Sequence, residues 1–122
     1  MATETRETAG LIGSDKVEGT NVYGAEREKI GSIERVMINK KSGQVAYAVL
    51  SFGGFLGMGD EHYPIPWQQL TYDTDLEGYR TNLTKQKLEG APKYSDRNEW
   101  DWEDRQQGRQ VYDYYGTPWV GY

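Results

Sequence analysis

From about residue 16 to residue 92, short apolar runs alternate with polar positions and are punctuated by Gly, Pro, Asp and Ser. That period of two is the signature of half-buried β-strands. The clearest pair is KIGSIERVMIN and QVAYAVLSF around KKSG, where Lys41, Ser42 and Gly43 predict a tight hairpin and Gly43 can take positive φ. Val36 and Ile38 share one face of the first strand, while Gly31 and Glu34 predict a bulge earlier in it. In the second strand Val45, Tyr47 and Val49 lie on one face, and Ala46, Ala48, Leu50 and Phe52 on the other. Both faces are apolar, so something must cover the outside of that strand. HYPIPW, LTYDT and EGYRTNL read as further strands, with Pro64 and Pro66 favouring a sheet edge or a strand start. The expected fold is mainly β: a small closed or partly open antiparallel β-barrel of five to six strands with a C-terminal helix.

The grammar changes after LEGAPKY. Asp96 and Glu99 fit a capping box, and Gly116 with Pro118 supplies a stop, which predicts one helix from about Arg97 to Tyr115. Trp100, Gln107, Val111 and Tyr115 fall near one face of it. Three regions follow: a flexible N-terminus over 1–15, a β domain over 16–92, and an aromatic, acidic helical extension over 93–122. The extension holds half of the chain's aromatic residues, so it is expected to dock on something, either the covered strand of its own barrel or a second subunit.

A length of 122 residues sets one domain with one modest core. Hydrophobic content is low at 36%, but ten tyrosines and four tryptophans bury apolar area even with one end wet, which separates the chain from disordered sequences. A net charge of -5 without a basic block repels a phosphate backbone and argues against nucleic-acid binding. The N-terminal residues carry acids and no apolar run of signal length, and no stretch approaches a membrane span. The absence of cysteine permits a reducing compartment, and the cytoplasm is the default expectation.

The candidate chemistry is sparse. In SFGGFLGMG the glycines imitate a phosphate loop, yet there is no following Lys and Ser/Thr, and Asp60 and Glu61 would repel phosphate. A wide turn bearing Phe55, Leu56 and Met58 is the expectation, with those side chains folded over the barrel mouth or offered to a partner. DTDLEG, Asp73 to Gly78, imitates half of a calcium loop but lacks the closing Glu, and reads as a solvated turn. His62 is the sole histidine; with Asp60 or Glu61 as neighbour it is expected as an ion-paired strand residue rather than a general base. WDWED, Trp100 to Asp104, pairs carboxylates with stacking surfaces as carbohydrate enzymes do, but a solvated helix face explains the acids equally well. No residue is marked as catalytic, as a metal ligand or as a cofactor contact.

Taken together, NVYGAEREKIGSIERVMIN, SGQVAYAVLSFGG and the pair Pro66 and Trp67 before Leu70 resemble the PRC-barrel domain, over about Gly10 to Lys93. This is the small β-barrel of the photosynthetic reaction centre H subunit and of a ribosome-maturation factor. The tail LEGAPKY through GTPW looks like the extension of stand-alone bacterial members. The resemblance implies an assembly module and carries no catalytic residues across; no membrane helix and no RNA-binding partner domain accompany it here. The leading expectation is a non-enzymatic module that contacts itself as a homodimer, or another protein. Its expected contact residues are Phe55, Leu56, Met58, Trp100, Trp102, Val111, Tyr112, Tyr115 and Trp119. The alternative is a barrel that binds a small molecule or ion near Trp67, Trp100 and Tyr112.

Overall fold

A computed structural model of the chain describes residues 6–52, 61–95 and 100–119. Phe55, Leu56, Met58 and the capping pair Asp96 and Glu99 lie outside these residues. A seven-stranded sheet forms the body, built from β1 (Asn21–Tyr23), β2 (Lys29–Ile38), β3 (Val45–Ser51), β4 (Glu61–Pro66), β5 (Thr71–Asp73), β6 (Gly78–Arg80) and β7 (Tyr94–Ser95). Its order is β5-β6-β1-β2-β3-β4-β7, so β5 and β7 are its ends and, among the described residues, hydrogen bonds do not close the barrel. All neighbours pair antiparallel except β1 and β6. The strand count exceeds the expected five to six because β1 and the two-residue β7 are too short to show a period in the sequence.

The β2–β3 hairpin forms as anticipated. Asn39 holds it, its Oδ1 accepting from the N–H of Lys41 and Ser42 at 2.9 and 3.1 Å, and Gly43 has φ 77°. Further down β2, Ile33 pairs with Leu50 and Arg35 with Val49, which leaves Glu34 as the extra residue of the predicted bulge. Gly31 lies against the end of β3, where a Cβ would collide with the Ser51 carbonyl oxygen and the Phe52 ring. Pro64 and Pro66 share one parity in β4, so both missing donors fall away from β3, and β7 bonds only to Glu61 and His62 on that side.

Both faces of β3 are covered, as its sequence required. Ala46 to Leu50 are all buried, within a core that includes Val22, Ile33, Phe52, Tyr63 and Ile65. The cover over Tyr47 is the chain's own C-terminal helix α3 (Arg105–Tyr114), since α1 (Ser14–Val17) and α2 (Lys85–Glu89) are single turns elsewhere. Tyr112 meets Tyr47 edge to face with centroids 5.4 Å apart, and its hydroxyl donates to the Ala46 carbonyl at 2.7 Å.

The helix begins later than the sequence predicts, at Arg105 instead of Arg97. Asp104 is its N-cap, accepting from the N–H of Gln106 and Gln107 at 3.0 and 3.2 Å. Before it, Asp101 accepts from Glu103 N–H at 3.0 Å, a local turn that competes with helix. The end is as predicted: Gly116 N–H bonds Asp113 O and Thr117 N–H bonds Tyr112 O, a Schellman closure. Residues 6–13, read as part of a flexible terminus, carry an antiparallel bridge between Glu7 and Ile12, and Glu7 accepts from the Tyr72 hydroxyl at 2.5 Å.

Candidate functional site

The bulge at Glu34 has a consequence for chemistry. Neighbours on a regular strand point to opposite faces, but the extra residue re-aims one of them, and Glu34 and Arg35 line the same cleft. The cleft holds about 500 Å³ and is completed by His62 on β4, Tyr94 and Ser95 on β7, and Trp100 and Trp102 ahead of α3.

Glu34 and His62 lie on strands that flank β3, two strand spacings or roughly 10 Å apart. Both side chains reach inward over β3, and the His62 Nδ1–H donates to Glu34 Oε1 and Oε2 at 2.7 and 2.8 Å. A carboxylate only accepts, so this contact places a proton on Nδ1. Tyr94, paired with His62 across β4 and β7, lays its ring on the imidazole with centroids 4.9 Å apart and planes 32° apart. Glu34 stays 30% exposed, so its oxygens remain reachable from the cleft.

Tyr94, Trp100 and Trp102 make the aromatic wall. Their centroids are 5.8 Å apart for Tyr94 and Trp100, 6.0 Å for Trp100 and Trp102, and 6.2 Å for Tyr94 and Trp102. Two residues apart, Trp100 and Trp102 could not share one helix face; the non-helical chain before Asp104 lets both join the wall. Trp102 also rests on Tyr47 at 5.5 Å, which fixes the wall to the core. Arg35 stands at the rim: its Nη2–H donates to the Tyr94 hydroxyl at 3.2 Å, and its guanidinium carbon lies 5.9 Å from the Trp102 centroid.

The anticipated contact residues therefore separate. Trp100 and Trp102 line the cleft; Val111, Tyr112 and Tyr115 are buried against the chain's own barrel; Trp119 is half-buried, edge to face on Tyr112 at 5.1 Å. Of the residues expected around a ligand, Trp100 lines this cleft and Tyr112 is buried on Tyr47. Trp67 instead lines a separate cleft of about 300 Å³ with Leu70, Tyr72 and Tyr79, overlaid by residues 7–12. Among the described residues the partner shown for His62 is Glu34, and Asp60 lies outside them; Glu61 accepts from the Tyr63 hydroxyl at 3.2 Å and pairs with Lys93 at 3.5 Å. The calcium-like segment is a turn in which Asp73 Oδ1 accepts from Asp75 and Leu76 N–H, and no group of three or more potential metal ligands occurs among the described residues.

Sequence reasoning missed Arg35 and Tyr94, and it marked Glu34 only as a bulge. That bulge was the available signal, because it sets two neighbouring polar residues on one side of a strand.

Several tyrosines titrate high. Burial, then the Glu61 charge, pushes Tyr63 well up; burial pushes Tyr115 well up too, and raises Tyr79. The Glu7 hydrogen bond pushes Tyr72 up to about 12 and, with Lys16, holds Glu7 below its usual range.

No helix among the described residues is long and apolar enough to cross a membrane. None of the curated proteins compared with the chain matches it. The model of the PRC-barrel domain family matches residues 10–85, more than half of the sequence and the whole run from the N-terminal turns through β6. With the partly open barrel and the β2–β3 hairpin that carry the match, the chain belongs to the PRC-barrel domain family.

Proposed function

We propose that this PRC-barrel chain is a non-enzymatic binding module whose working surface is the aromatic cleft beside the Glu34 bulge. One observation carries the reading: the bulge and the non-helical Trp100–Trp102 segment converge a carboxylate, a guanidinium, an imidazole and three aromatic rings on one concavity. Its volume of about 500 Å³ is in the usual range of ligand sites, which combine an aromatic lining with a few placed polar groups. The His62 ring is tied to Glu34 and covered by Tyr94, an arrangement suited to holding a shape rather than to shuttling a proton.

A thermal-shift screen with saccharides, nucleotides, metal ions and peptides tests it. A ligand of the native state raises the melting temperature as its concentration passes its dissociation constant. The expected result is stabilisation of the natural chain that Trp102→Ala abolishes, with the ligand recovered unchanged. Silence across the panel, or equal stabilisation of Trp102→Ala, overturns the reading.

A second reading, assembly with another copy, is supported by the half-buried Trp100, Trp102 and Trp119 and the 49% exposed Ile38. It ranks second because Val111, Tyr112 and Tyr115 are already engaged in cis. Light scattering tests it: a dimer that Trp119→Ser dissociates supports it, and a monomer at all concentrations removes it.

A further inference from the structure

The chemistry of the cleft narrows what it takes. Resting on the reading of the cleft as a ligand site, we propose that its ligand is an acidic saccharide, a sugar ring bearing a carboxylate. The wall selects the ring. Tyr94, Trp100 and Trp102 are inclined to one another by 41°, 54° and 86°, so no two of them form a parallel slot for a flat heterocycle. Faceted π faces suit a puckered ring, whose C–H bonds point outward and carry partial positive charge. A cationic ligand is disfavoured, because Arg35 already lies over Trp102 and a second cation would meet it.

The polar groups select the substituents. Glu34, partly exposed and acceptor-only, suits hydroxyl donors. Arg35 is exposed, and among the described residues its guanidinium has no carboxylate partner; its contacts are the Tyr94 hydroxyl and the Trp102 face. Of its five N–H donors, one goes to Tyr94, which leaves a fork for a carboxylate. A single guanidinium beside Glu34, on a chain of net charge -5, matches a singly charged carboxylate better than a phosphate.

Calorimetry at fixed ionic strength on the full chain tests this, with an unesterified oligogalacturonate, its methyl ester and a poly-glutamate peptide as probes. The acid is expected to bind about tenfold or more tightly than the ester, the effect of one charge-assisted pair. Arg35→Gln should erase that difference while leaving weak binding of both, and Trp102→Ala should remove both, with circular dichroism confirming the fold. Equal affinity for acid and ester, or acid binding that Arg35→Gln leaves intact, overturns the acidic class while the cleft reading stands. Preference for poly-glutamate overturns the saccharide in favour of a peptide. If no saccharide binds, the inference falls; if the thermal-shift panel is silent as well, the cleft reading falls with it.

Discussion

Gly31 is a residue whose side chain would have nowhere to go. A methyl group there meets the Ser51 carbonyl and the Phe52 ring, so Gly31→Ala should lower stability by about 2 kcal/mol, the range of overpacked sites, read as a lower midpoint in urea. The tyrosines make a second prediction. Their folded pKa values lie above the unfolded value of 10.0. Each is neutral in both states below that pH, so its contribution is complete there. Above it the unfolded chain ionises first, and stability falls from about pH 10 through about 12, where Tyr72 titrates folded. Phenolate absorbance followed together with circular dichroism should show these tyrosines ionising as the chain unfolds; full ionisation of a folded chain would contradict it. The sequence showed the bulge at Glu34 because Gly31 and a charged residue interrupt an apolar alternation. It could not show that Glu34 meets His62, since that contact depends on register across β3.

At the scale of elements, α3 is the piece that completes the barrel. Asp104→Ala removes the N-cap and should cost about 1 kcal/mol. Tyr112→Phe leaves the buried Ala46 carbonyl without its hydroxyl partner and should cost about the same. Urea titrations measure both; a neutral Tyr112→Phe would mean that the helix does not hold β3 as described. The two-faced apolar pattern of β3 announced that a cover must exist, and the C-terminal stop at Gly116 was readable from glycine and proline. The start was not, because WDWED offers both Asp101 and Asp104 as caps; Asp104 caps the helix while Asp101 closes the turn before it, where Trp100 and Trp102 meet Tyr94. The short elements β7 and α2 left no period to read; Thr84, which caps α2 by accepting from Lys87 N–H at 3.0 Å, was its one local mark.

For the whole molecule, the barrel and its extension form one unit in which the tail covers β3 and, on the way, walls the cleft. That division explains why half of the aromatic residues stand in the last quarter of a chain of low hydrophobic content: among the described ones, Tyr112 and Tyr115 close the core and the rest stay half-exposed. The most direct test of the cleft as the recognition surface uses the four tryptophans as reporters. Indole N–H resonances would be followed by NMR during titration with unesterified oligogalacturonate and with any ligand that the thermal-shift screen returns. The account predicts that Trp100 and Trp102 shift together while Trp67 and Trp119 hold still. Shifts confined to Trp67 or Trp119, or four unmoved resonances at saturating ligand, would contradict it.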